Sequence, residues 1–312
     1  GVLLEQQPSL LGQLVGIAVR DQATAASTRL MTAGTFRPPL LHRVQRELPS
    51  QSFCRTVPRA LDELERCYFL DNATLMARDA EGTRRVLSKL WEMAEALRPL
   101  EEKDIPDHLA NIKPGGPVAR ALLRARKSAD WDAVLRRGNA FCDYQVRIMR
   151  EQDLDRREKM AKALAKSVER LKAEVKLSPW GEGAQTLKKR AQGGTAETRW
   201  VGSMLLGTLL PDVSLRMAQM LAERSEMQHE LLRLAIALEL YKAEHEGYPE
   251  ALAALAPKYL KAVPRDFFRK KPLHYEAADG GYLLYSVGPD REDDGGKDDP
   301  HEGDLVVRKE AG

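Results

Sequence analysis

The densest chemistry in the chain lies near its end. From Asp290 to Asp304 the order is Asp290-Arg-Glu292-Asp293-Asp294-Gly295-Gly-Lys-Asp298-Asp299-Pro-His-Glu302-Gly-Asp304, eight carboxylates against one Arg and one Lys. A hard cation such as Ca²⁺ takes roughly six to eight oxygens from carboxylates and carbonyls, and glycines let a loop curl around it. Counted as an EF-hand, Asp290, Glu292, Asp294 and Gly295 fit the first half. The twelfth place holds His301 where a bidentate Glu is needed, and no helices flank the loop, so it is not an EF-hand. A solvated acidic hairpin is the alternative to a cation site.

Other catalytic patterns fail. His229-Glu230-Leu-Leu-Arg233 begins like a zinc-binding HExxH motif but puts Arg where the second His belongs. Gly181-Glu-Gly183-Ala-Gln-Thr186 has only two of the three dinucleotide glycines and no strand before it. Neither a Walker loop nor a GxSxG elbow is present. The six histidines are scattered. Cys54, Cys67 and Cys142 are too few for a disulfide framework and make no CxxC. With 49 Lys and Arg against 46 Asp and Glu, the formal charge of +3 excludes nucleic-acid binding by bulk charge. No run of 18 apolar residues spans a bilayer. A chain that opens on Gly1 leaves room for an upstream signal or membrane anchor.

The elements that must position the acidic loop follow from periodicity. Helical patterns are expected at 8–31, after Pro58, and at about 81–98, followed by shorter pieces holding Trp131 and Phe141. A long helix is expected from Asp143 to about Lys176, its seam made by Leu164, Val168, Leu171 and Val175. Residues 178–198, rich in Gly and Pro, read as a mobile surface segment. Pro211-Asp212 is expected to cap a second long helix, with Met217, Met220, Arg224, Met227, Leu231, Leu234, Leu238, Tyr241 and His245 on one face, stopped by Gly247. A short helix at about 250–256 follows. Three strands are expected at 273–277, 282–287 and 304–308, the first two joined by Asp279-Gly280-Gly281. The fold class is therefore α+β, predominantly α, with an all-helical domain at 1–210 and an α+β module at 211–312, a long helix on a three-stranded antiparallel sheet.

Residues 231–308 resemble the globular part of the type II secretion major pseudopilin, and more closely the pseudopilin-like segments of planctomycete-type envelope proteins. The likeness rests on Leu238-Glu-Leu-Tyr-Lys-Ala-Glu-His-Glu-Gly-Tyr-Pro249, Tyr259-Leu-Lys-Ala-Val-Pro-Arg-Asp266, Lys271-Pro-Leu-His-Tyr275 and Gly281-Tyr-Leu-Leu-Tyr-Ser-Val-Gly-Pro-Asp290. In that family the closing loop binds calcium. The resemblance implies Ca²⁺ held by the Val287 carbonyl, Asp290 and Asp304. Gly303 stands where the family often has a further Asp, and Asp294, Asp298 or Asp299 are the substitutes. About 210 residues precede the matching helix where a pseudopilin has a membrane helix, which argues against assembly into a fibre.

The function expected from these observations is that of a non-enzymatic bacterial envelope protein, periplasmic or otherwise extracytoplasmic. It would be linked to secretion or surface assembly, act through protein partners, and touch a membrane only through an anchor absent from this chain. The alternatives are a hydrolase-type enzyme whose site lies between the two regions and draws on groups such as His274, or a helical adaptor.

Overall fold

The structure is a computed structural model. It describes residues 10–48, 56–97, 113–177, 179–180, 183–191, 194–209, 213–278, 280–297 and 303–310. The fold is α+β and predominantly α, with one three-stranded antiparallel sheet near the C-terminus. Among the described residues no strand precedes residue 210, and no helix is long and apolar enough to cross a membrane. Two compact units form: Gly1–Val57 with Met217–Gly312, and Pro58–Arg216. The first of these joins the N-terminal segment to the sheet, where the sequence suggested a single cut near 210.

The N-terminal elements are α1 (Leu10–Ala33), α2 (Pro38–Glu47) and α3 (Thr56–Ala60). Alpha3 passes through a π-helical turn, Leu61–Glu65, into α4 (Arg66–Arg78). Asp79 is extended, and its Oδ1 accepts the Gly82 N–H at 2.6 Å, starting α5 (Ala80–Leu97). Then come α6 (Pro117–Ala125), α7 (Trp131–Arg150), α8 (Leu154–Val175), α9 (Gly183–Arg190) and α10 (Ala196–Leu209).

The single helix expected from Asp143 to Lys176 is two helices. Glu151 ends the first, and Asp153 caps the second, its Oδ1 accepting the N–H groups of Asp155 (3.1 Å) and Arg156 (3.0 Å). An acidic residue there reads as ordinary helix surface until the capping bonds are seen. Of the expected seam on α8, Leu164, Val168 and Leu171 are buried and Val175 is half-buried. Residues 178–198 are corrected more strongly. Alpha9 and the start of α10 fall inside them, Leu187 is fully buried, and Ala196 belongs to the core of this unit. Alpha10 is the central helix, apolar nearly all round, with Trp200, Val201, Met204, Leu205 and Leu206 buried. Alpha4 and α7 approach closely because Gly138 has no side chain. A Cβ there would lie 1.9 Å from the Phe69 ring.

One polar cluster interrupts this apolar interior. The Glu174 carboxylate on α8 is fully buried and takes a fork from Arg199 on α10, at 2.8 Å (Nε to Oε2) and 3.0 Å (Nη2 to Oε1). Ser203, one turn on, donates to Oε2 at 2.5 Å. Arg190 donates to Oε1 at 3.3 Å, and Arg137 lies 3.7 Å from Oε2. Burial would raise the Glu174 carboxyl, but the bonds from Arg199 and Ser203 and the charges of Arg199 and Arg137 hold it below its ordinary value.

In the other unit, α11 (Val213–His245) is the long amphipathic helix. Pro211 and Asp212, and the burial of Met217, lie outside the described residues. Leu231, Leu234 and Leu238 are buried, as a core stripe requires, while Tyr241 is half-buried and His245 exposed. The left-handed residue that ends the helix is Glu246 (φ 60°), one position before the expected Gly247. A 3₁₀ turn, Leu252–Leu255, replaces the short helix expected at 250–256.

The strands are β1 (His274–Ala278), β2 (Gly281–Ser286) and β3 (Leu305–Lys309), in the order β1-β2-β3. Ala278 pairs with Gly281, leaving a two-residue turn in which Gly280 has φ 79°. The inner face of the sheet (Tyr282, Leu284, Leu305, Val307) shares one core with Leu231 to Leu240 of α11. That covering is what a three-stranded sheet needs in order to be stable.

Alpha1 belongs to this unit through a buried lysine. Lys309 Nζ on β3 donates to the Gly34 carbonyl (2.9 Å), to the Met31 carbonyl (3.4 Å) and to Glu239 Oε2 on α11 (2.8 Å). The ammonium thus meets carbonyls at the C-terminal end of α1, the end that favours positive charge. Glu239 Oε1 in turn accepts the Tyr248 hydroxyl at 2.6 Å.

Candidate cation site

The described first part of the loop between β2 and β3, residues 287–297, lies back over the outer face of the sheet. The register sets that face: His274 stands opposite Tyr285, and Tyr285 opposite Val306. The His274 and Tyr285 rings stack at 4.5 Å with 12° between planes. Gly296 (φ 74°) rests on this surface, and a Cβ there would come within 3.2 Å of Leu283 and 3.3 Å of Tyr285. A side chain is therefore excluded by both backbone and contact.

Three side chains fix the start of the loop. Asp266, buried, accepts the N–H groups of Phe268 (2.8 Å) and Arg269 (3.3 Å) with Oδ1, and that of Val287 (3.0 Å) with Oδ2. Arg269 clamps the Arg291 carbonyl, with Nε at 2.8 Å. Asp293 accepts the Tyr285 hydroxyl (3.0 Å) and the Gly295 N–H (3.1 Å), and lies 3.3 Å from His274 Nε2. The Gly295 bond, then Tyr285 and His274, holds the Asp293 carboxyl below its ordinary value. Burial and the Asp293 bond push the Tyr285 phenol up to about 12.

Asp304 is the centre of the site. Its side chain is fully buried, Oδ2 accepts the Gly296 N–H at 2.7 Å, and Oδ1 has no hydrogen-bond partner among the described residues. Burial raises its pKa, the Gly296 bond draws it back, the charges of Asp293 and Asp294 raise it again, and the Asp294 backbone N–H lowers it in part. A buried carboxylate oxygen without a donor carries its full desolvation cost, and a cation removes that cost.

Of the residues expected as ligands, Asp294 is the one shown close to Asp304 among the described residues. Asp294 acts electrostatically on Asp304, though its own side chain is exposed. Val287 is buried beside the loop, its N–H on Asp266. Asp290 is exposed, and its Oδ1 accepts the Glu292 N–H at 3.0 Å. Asp298 and Asp299 lie outside the described residues. Among the described residues no three His, Cys, Asp or Glu side chains are gathered into a metal shell. The donor set is of the type a hard ion takes, carboxylate and carbonyl oxygens with Asp304 Oδ1 unpartnered among the described residues. An ion there would rest on Asp304, with Asp294, Asp290 and the Val287 carbonyl as the further oxygens, and would supply charge neutralisation.

Sequence reasoning missed the parts played by Asp266, Arg269, Tyr285, Asp293 and Gly296. One signal was within reach: a two-residue turn at 279–280 pairs 278 with 281 and so sets His274 against Tyr285. In the broken HExxH motif His229 is buried and Glu230 is paired to Arg233 at 2.9 Å. No family model matches this chain, and no curated protein or solved structure matches it either.

Proposed function

We propose that this is a non-enzymatic protein of the bacterial envelope, periplasmic or otherwise extracytoplasmic. Its C-terminal module is pseudopilin-like and binds calcium through the β2–β3 loop. It works through protein partners in secretion or surface assembly. The observation that carries the calcium part is the buried Asp304 in an acidic loop, its Oδ1 unpartnered among the described residues. The sequence order of helix, Gly-Tyr-Pro turn, Pro-Arg-Asp, hairpin and acidic loop supports the pseudopilin-like part.

Calcium bound only to the folded protein raises stability by mass action. Chelator-stripped protein should therefore melt higher in millimolar Ca²⁺, while Mg²⁺, which demands stricter octahedral geometry, should do less. Identical melting curves with calcium and with chelator would remove the cation and leave a solvated acidic hairpin. Fractionation of cells producing the full-length protein tests the envelope location, and a cytosolic pool alone would refute it.

A hydrolase-type enzyme is the second reading, favoured by the His274–Asp293 pair beside the Tyr285 hydroxyl. Hydrolysis of generic esters or phosphodiesters that is lost in His274→Ala would establish it. Turnover unchanged by that substitution would remove it.

A further inference from the structure

The Glu174 cluster holds a charge imbalance that the fold itself does not require. One buried carboxylate would be satisfied by the Arg199 fork and the Ser203 hydroxyl, yet two more guanidiniums converge on it from α7 and α9. Among the described residues three positive charges meet one negative here, an excess of two. Arg137 spends Nη1 on the Arg199 carbonyl (3.2 Å) and the Ser203 hydroxyl (3.1 Å), so its position is fixed by the protein. Arg190 touches the cluster through one nitrogen at 3.3 Å, and its side chain is 41% exposed. The guanidinium of Arg137 is itself disfavoured: burial first, then the neighbouring Arg199, pushes it down to about 10 despite Glu174. The Arg199 fork is taken by Glu174, whereas Arg190 gives Glu174 one nitrogen and Arg137 Nη2 stands 3.7 Å from it, and guanidinium N–H groups beyond such bonds are donors of the kind that take phosphate oxygens.

We propose that Arg137, Arg190 and Arg199 form a binding site for a phosphate-class oxyanion, with Glu174 as the buried strut that holds the three guanidiniums in place. The ligand is inorganic phosphate or the phosphoryl group of a monoester. Arg190 is its solvent-side arm, and Arg137 the preorganised inner donor. This site lies in the helical unit and is independent of the calcium loop.

Isothermal titration of the full-length chain with inorganic phosphate and, separately, with phenyl phosphate, at matched ionic strength in chloride, tests it. Binding of either ligand, weakened at least tenfold by Arg190→Gln and unchanged by Arg59→Gln at an unrelated exposed ion pair, is the expected result. Tighter binding of phenyl phosphate assigns a monoester, and equal or weaker binding assigns the free ion. Because Arg190→Gln leaves the Arg199 fork on Glu174, its folded state should persist, checked by circular dichroism. Arg190→Lys, which keeps the charge and loses the fork, should bind with intermediate affinity. No heat of binding above the chloride control overturns the proposal. So does binding that Arg190→Gln leaves intact.

Discussion

Glu174 and Asp304 are both fully buried carboxylates, one in each compact unit, and their surroundings are opposite. Glu174 meets three guanidiniums and a hydroxyl, and its pKa is lowered. Among the described residues Asp304 meets one short N–H bond from Gly296, the backbone N–H of Asp294 and two repelling carboxylates, its Oδ1 has no hydrogen-bond partner, and its pKa is raised. Burial penalises the ion in both places; what differs is whether the chain supplies the opposite charge. At Glu174 it oversupplies it, and at Asp304 it withholds it. A buried acid with too many cations is a strut with capacity left over for an anion. A buried acid with too few is a place for a cation to enter.

The largest effect expected from this contrast is at Glu174. Glu174→Ala leaves the Arg199 fork, Arg137 and Arg190 facing one another across a cavity, which should cost about 3–5 kcal/mol. Chemical denaturation with a tryptophan signal reads this in the helical unit, where Trp200 is buried and its Nε1 donates to the Val175 carbonyl at 3.1 Å. A loss below about 1 kcal/mol would show that the cluster is solvated and carries little energy.

At Asp304 the same removal of charge should run the other way. Asp304→Asn keeps an acceptor for the Gly296 N–H and deletes the repulsion from Asp293 and Asp294. The calcium-free protein should therefore be no less stable than the wild type. The calcium response should disappear: the wild type should gain about 2.7 kcal/mol at a hundredfold excess of Ca²⁺ over Kd, and the variant nothing. A variant that unfolds while calcium-free would mean that the carboxylate is held by the chain alone.

How far these two sites could be read from the sequence follows from the distance between their parts. The hairpin at 279–280 was legible because Asp279-Gly280-Gly281 states its turn locally, although each strand begins or ends one residue away from the expected place. The Leu231, Leu234, Leu238 stripe was legible because periodicity is local too. Asp304 was named from a loop whose acids are contiguous, but its burial was not legible, since that depends on Gly296 settling onto Leu283 and Tyr285. The Glu174 cluster was invisible. Its four charged members are spread from 137 to 199 on four helices, each unremarkable beside its neighbours in sequence. Lys309 with Glu239 and the end of α1 is hidden for the same reason. Alpha9 was missed because glycines on both sides disguise a helix whose only strong apolar commitment is Leu187.

A smaller effect separates the two carboxylates by pH. An acid whose pKa is raised on folding binds its proton more readily in the folded state, so its contribution to stability grows as pH falls. For Asp304 the window runs from its raised pKa down to the ordinary value of 3.8. Glu174, with its pKa lowered from 4.5, contributes stability that is complete above 4.5 and is lost as pH falls through the folded value. In chelator, the stability difference between wild type and Asp304→Asn should therefore shift in favour of the wild type on acidification. The difference between wild type and Glu174→Gln should shrink. Parallel slopes for the two variants would mean that the contrast in surroundings has no energetic weight.

The smallest expected change in the calcium-free protein is at Asp290. Its carboxylate is exposed and holds only the Glu292 N–H of its own turn, so Asp290→Ala should move calcium-free stability by no more than about 1 kcal/mol. Its effect on the calcium response should be out of proportion to that. A loop that curls around an ion brings exposed carboxylates to the one already buried, and Asp290 follows Gly288 (φ 72°) and Pro289, which fix its approach. Asp290→Ala should therefore abolish the calcium-dependent rise in melting temperature while leaving the chelated curve in place. If the variant responds to calcium as the wild type does, the ion is held by Asp304 and its nearer neighbour Asp294 without Asp290. The loop would then bind from its β3 end alone.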